Sequence, residues 1–163
     1  MLSKPVLDAI NNQIQKEFES AYLYLGMAAH FDANNLPGFA KWMRKQFEEE
    51  QGHAFRFYDY VYDQRGEVIL QPIAAPTAKF GKPIEIFQQV LAHEQKVTAS
   101  IKAIYEVALK EGDQATQIAL QWFISEQVEE EKNAADAIEQ IKMAGDLPFG
   151  QLFLDQHIFG SRK

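Results

Sequence analysis

The stretch PGFAKWMRKQFEEEQGHAFRFYDYVYDQRG, residues 37–66, opens on a proline, closes on a glycine and holds no other proline. A proline is tolerated in a first helical turn, and a glycine suits the residue just past a last one. Between them Phe39, Met43, Gln46, Glu50, His53, Phe57 and Tyr60 recur in alternating steps of four and three. That spacing keeps one stripe on one helix face. It predicts a helix over 37–65 whose buried face carries two ionisable groups, Glu50 and His53, among apolar ones.

The same punctuation divides the rest of the chain. Prolines at 5, 37, 72, 76, 83 and 148 leave the spans 6–36, 38–71 and 84–147 free of them, and glycines stand at 66, 112 and 145. The predicted helices are 4–33, 37–65, 83–111, 114–144 and a short 147–158, with Asp113 as an N-cap for the fourth. The first carries the stripe Ile10, Ile14, Glu17, Ala21, Tyr24, Ala28, Phe31, and the third Ile84, Phe87, Leu91, Glu94, Thr98, Ile101, Tyr105. The fourth carries Thr116, Leu120, Phe123, Gln127, Glu130, Ala134, Ala137, Ile141. Only 67–73 has the β-branched, alternating character of a strand.

Short joints make the first and second helices, and the third and fourth, antiparallel hairpins. The joint 66–82 is different. A 28-residue helix is about 42 Å long, and seventeen extended residues reach at most about 56 Å. The joint can therefore run the length of the bundle, which makes the second and third helices parallel. The expectation is an all-α single domain over 1–163. It is a four-helix bundle (4–144) with one long crossover between the second and third helices, plus a short C-terminal fifth helix.

Sixteen basic against 23 acidic residues give a net charge of −7. An acidic chain is a poor ligand for nucleic acid or anionic membrane and a better collector of cations. The absence of cysteine excludes disulfides, thiol catalysis, zinc fingers and iron–sulfur clusters. No run of 18 apolar residues and no signal-type N-terminus is present, so the chain is expected to be cytoplasmic, full-length and untagged.

Charged groups rarely sit on a buried seam without a partner or a metal. Here the seams hold Glu17, Glu50, His53, Glu94 and Glu130, with Gln127 beside them. An offset of 77 maps Glu17 onto Glu94, Glu49 onto Glu126, Glu50 onto Gln127 and His53 onto Glu130. Two hairpins thus present equivalent polar positions near mid-helix, where antiparallel packing brings them to one level. Four carboxylates with no Lys or Arg on the stripes must either stay protonated or gather cations. Two divalent metals would neutralise them, and oxygen ligands with one imidazole suit iron or manganese. In di-iron carboxylate bundles, one Glu from each of two helices joins a Glu-x-x-His from each of the other two. Glu50-Gln-Gly-His53 is one such motif, and Gln127-Val-Glu-Glu130 is an altered second.

The segments EFESAYLYLGMA around Glu17, WMRKQFEEEQGH at 42–53, the lone Glu94 and LQWFISEQVEEE at 120–131 resemble the bacterial non-haem ferritins, over nearly all of 5–158. The resemblance implies a homo-oligomeric, 24-subunit hollow shell that oxidises Fe(II) with O2 or peroxide and stores ferric mineral, without haem. It implies that Glu17, Glu50 and His53 hold one iron, and that Glu50 bridges to a second held by Glu94 and Glu130, with Gln127 in the site. It also matches Glu49, Glu126 and Glu129 to a third iron site and Tyr24 to a tyrosine beside the centre. The short C-terminal helix would join three neighbours at a fourfold axis. The positions matching the acidic threefold funnel of animal ferritins are Gln117 and Leu120, which are not acidic.

Three other readings are weaker. Bacterioferritin places a haem-binding methionine after the second-helix glutamate, where this chain has Gln51. A rubrerythrin-type peroxidase needs the second Glu-x-x-His and, usually, a cysteine-bound iron. A purely structural cage would not need the five residues Glu17, Glu50, His53, Glu94 and Glu130 in register. Trp122, His30, His93 and His157 read as packing or surface residues.

Overall fold

The computed structural model describes residues 1–161. Four long helices, α1 (Lys4–Ala33), α2 (Pro37–Asp63), α3 (Pro83–Lys110) and α4 (Gln114–Ala144), are followed by α5 (Pro148–Phe153) and a π-helical stretch, Leu154–Phe159. Pro37 and Pro83 stand in first turns, and the Asp113 side chain accepts a hydrogen bond from Thr116 N at 3.0 Å. The expected boundaries thus hold to within two residues for the long helices. The C-terminal segment differs, because its second half widens to π-helical winding. The left-handed residue after α2 is Arg65 (φ 58°), not Gly66, and among the described residues 67–73 forms no strand.

The crossover is fastened along α1 in ascending order. Asn11 donates to Glu67 O at 3.1 Å and accepts from Ile69 N at 2.9 Å, Gln15 donates to Pro72 O at 2.9 Å, and the His30 ring meets Gly81 O at 2.9 Å. At Gly26 a Cβ would come within 2.8 Å of Pro76. The segment therefore runs parallel to α1 from one end of the bundle to the other. α3 must start where α2 started, and the two are parallel, as the joint's length allows.

The core is in two parts. One apolar cluster holds Tyr24, Phe31, Phe39, Trp42, Met43, Phe87 and Ala134, and the other holds Ile10, Ile14, Phe57, Val61, Ile101, Leu120 and Phe123. Between them lies a layer of buried polar side chains, Glu17, Gln46, Glu50, His53, Glu94, Gln127 and Glu130. Leu120 is 1% exposed in the second cluster. Among the described residues, no helix is long and apolar enough to cross a membrane.

Candidate metal centre

The polar layer is built from the mid-points of all four long helices. Glu17 of α1 and Glu50 and His53 of α2 bring ligand atoms within 4.8 Å of one another, all buried. His53 Nδ1 lies 3.4 Å from Glu50 Oε2 and 4.0 Å from Glu17 Oε2. Trp122 and Phe123 hold the imidazole edge-on, at ring separations of 5.6 and 6.3 Å. Trp122 is covered in turn by the Arg56 guanidinium at 4.1 Å. Trp122 therefore does pack, as expected, and what it packs against is a candidate ligand.

Glu94 and Glu130 face this trio from the other hairpin. Tyr24 donates to Glu94 Oε1, and Gln127 Nε2 donates to Glu94 Oε2 at 3.1 Å. Gln46 Nε2 donates to Glu130 Oε2 at 2.8 Å, and Gln13 Nε2 donates to Glu17 Oε1 at 2.8 Å. Each of Glu17, Glu94 and Glu130 thus has at least one oxygen held by a neutral donor. Glu50 has neither held, and Glu17 Oε2 is likewise buried without a hydrogen-bond partner. Orphaned carboxylate oxygens in a buried layer are the donor set a hard cation needs. Neither Glu94 nor Glu130 joins a trio as tight as the first.

Electrostatics sharpen the picture. Burial, then the neighbouring Glu50 charge, pushes the Glu17 carboxyl well above the usual carboxylate range. Burial, then Glu94, does the same to Glu50. Burial and the Glu94 charge raise Glu130 to about 7. Burial and Glu94 also hold the Tyr24 phenol well above its ordinary value, so it remains a donor.

A stability consequence follows. An unfolded Glu ionises near pH 4.5, whereas folded Glu130 keeps its proton until about 7. Between these values the unfolded chain binds fewer protons, so the metal-free protein loses stability as pH rises. The loss from Glu130 alone is on the order of 3 kcal/mol, and Glu17 and Glu50 act in the same direction. Thermal unfolding of the metal-free protein at pH 5.5 and pH 8 should show a lower midpoint at pH 8, with Mn(II) or Co(II) restoring it. A midpoint independent of both pH and metal would contradict the buried-carboxylate account.

The remaining expected residues are placed less tightly. Glu49 and Glu126 are half-buried and Glu129 is exposed, and they do not gather to within 4.8 Å. Glu49 is close enough to raise the pKa values of both Glu50 and Glu130. His93 is more than a surface residue. Ser20 donates its one proton to Lys16 O at 2.9 Å, so its oxygen accepts from His93 Nε2 at 2.7 Å, and the ring stands edge-on to Tyr24. Gln13 and Gln46 escaped the sequence reading as site residues. Gln46 lay on the α2 stripe, but neutral amides do not stand out there as misplaced charges do.

Comparison with known proteins agrees with this geometry. A family model described as a ferritin-like domain matches residues 7–144. A bacterial non-heme ferritin of Bacteroides fragilis is 39% identical over 158 residues, spanning 97% of this chain and 98% of the relative. One from Staphylococcus aureus is 35% identical over 162 residues, spanning 99% and 97%. Among solved structures, an open-pore ferritin from the hyperthermophilic archaeon Archaeoglobus fulgidus superposes with a TM-score of 0.97 at 40% identity, covering 100% of both chains. With four helices carrying a buried Glu/His cluster at mid-bundle and relatives of this closeness over the whole length, the chain belongs to the ferritin family of iron-storage proteins.

Proposed function

We propose that the buried layer is a ferroxidase centre and that the protein oxidises Fe(II) there before storing it as ferric mineral. The observation that carries this reading is Glu50, neither of whose oxygens accepts a hydrogen bond from an amide or a phenol, whereas its carboxylate neighbours are held that way. A carboxylate with neither oxygen so held suits a bridge between two cations. Glu17, Glu50 and His53 hold one Fe(II). Glu50, Glu94 and Glu130 hold the other, with Gln127 and Tyr24 fixing Glu94. Four carboxylates balance two Fe(II), so loading removes the penalty that keeps Glu17, Glu50 and Glu130 protonated when the site is metal-free.

Two Fe(II) each give one electron to O2, which takes up two protons and leaves as hydrogen peroxide; peroxide itself can serve as the oxidant in a further round. Glu49, Glu126 and Glu129 form a weaker third cation site on the flank of the pair. The chain assembles as a closed homo-oligomer of 24 subunits in the cytoplasm. Exposed apolar side chains at Met143, Leu147, Phe149, Leu152 and Phe153 support burial of the C-terminal segment between copies.

Adding Fe(II) to metal-free protein in air should consume one O2 for every two irons in a first fast phase, with light scattering reporting a large particle. Iron-soaked crystals should show two strong anomalous peaks per subunit and a weaker third. Absence of oxygen uptake by a well-folded preparation would overturn the enzymatic reading.

A further inference from the structure

A groove of about 320 Å³ runs between α3 and α4, lined by Thr98, Ile101, Lys102, Ile124, Val128 and Glu131, and Gln127 closes its floor. Most of its surface is apolar. Val128 is 69% exposed at the rim, whereas Gln127 is 2% exposed. The groove therefore leads from solvent to a side chain that touches the metal centre.

The floor is a buried amide. Gln127 Nε2 lies within hydrogen-bond reach of Glu94 Oε2 at 3.1 Å, Glu94 O at 3.2 Å and Thr98 Oγ1 at 3.3 Å. Thr98 spends its own proton on Glu131 Oε1 at 2.6 Å. The carboxylate at the mouth thus has one oxygen engaged, and Lys102 lines the same groove. An ammonium and isoleucine walls make the groove a poorer path for a cation than for a neutral apolar molecule.

The other flank of α4 is more polar. Glu129 and Asp136 line a groove toward α2 together with Lys45, which pairs with Glu49 at 3.7 Å. Fe(II) needs anionic oxygen donors along its path, whereas dioxygen is neutral, apolar and needs none.

We propose that the α3–α4 groove is the route by which dioxygen reaches the buried centre, with the Gln127 side chain as its inner gate. The inference rests on the ferroxidase reading above. Oxygen partitions onto Ile101, Ile124 and Val128 and passes the Gln127 amide to reach Glu94.

The test is the oxygen dependence of the initial rate in the assembled protein. Val128→Trp fills the rim without touching a proposed ligand. It should raise KM for O2 by about fivefold or more while leaving the Fe(II) dependence and Co(II) binding as in the wild type. Xenon, a probe of small apolar sites, should occupy the groove of pressurised wild-type crystals between Ile101, Ile124 and Val128. An unchanged KM for O2 in assembled Val128→Trp, or xenon bound elsewhere with none in the groove, overturns the route. If the variant does not assemble, the xenon result decides. Failure of the underlying reading looks different, because the wild type itself would then take up no oxygen with Fe(II).

Discussion

If the buried layer is the proposed ferroxidase centre, His53→Ala and Glu130→Ala should each lose about a hundredfold or more in the initial rate of Fe(II) oxidation while keeping helical content and particle size. His53 is the neutral donor of the tight trio, and without it Glu17 and Glu50 must hold a cation alone. Its ring also fills space against Trp122 and Phe123, so a modest fall in stability accompanies the loss. Glu130 is different. Removing a carboxyl that burial and Glu94 already resist ionising relieves repulsion in the metal-free protein, although Gln46 loses its acceptor. Stopped-flow oxidation beside circular dichroism separates chemistry from folding. Wild-type initial rates in both variants would remove these residues from the centre.

Gly38→Ala should be the most damaging conservative change outside the polar layer. A Cβ on Gly38 would lie 1.8 Å from the carbonyl oxygen of Asp155 and 2.6 Å from its carbon. Both are backbone atoms, so no side-chain rotation relieves the clash. The C-terminal segment must lift away. It takes with it the hydrogen bond from Phe39 N to Asp155 Oδ1 at 2.9 Å and the stack of Phe159 on Phe39 at 4.4 Å. The expected loss is about 2–4 kcal/mol. It would read as a lower thermal midpoint together with faster proteolysis after Ala144. Asp155→Asn, which keeps the acceptor and the backbone contact, should be far milder. An unaltered midpoint and cleavage pattern in Gly38→Ala would show that the segment does not dock as described.

These two cases mark what a reader of the sequence could and could not see. Glu17, Glu50 and His53 were legible because a charge on an apolar stripe is an anomaly with few remedies, and the 77-residue repeat tied both hairpins to one level. The crossover's direction was legible from length alone. Gly38 was not, since the group that forbids a side chain there is Asp155, more than a hundred residues away in sequence. Gln13 and Gln46 were hidden for a related reason. An amide is at home on a surface or in a core, and only the carboxylate opposite decides its task. The docking of the π-helical Leu154–Phe159 on the first turn of α2, through Asp155 and Phe159, is likewise a distant contact that no local periodicity encodes.

The division of the core into two apolar clusters bears on how such a chain can change over generations. Cohesion resides at the ends of the bundle, where Phe31, Phe39 and Phe87 pack on one side and Phe57, Phe123 and Ile101 on the other. The layer between joins the helices by hydrogen bonds such as Gln46 to Glu130 and Gln127 to Glu94 and, when its carboxylates ionise without metal, adds repulsion. A lineage can therefore exchange a histidine for a glutamate or a glutamate for an amide in that layer without forfeiting the scaffold. The pairs His53 and Glu130, and Glu50 and Gln127, show that latitude within one molecule: each hairpin still contributes two carboxylates and one neutral donor, arranged in a different order.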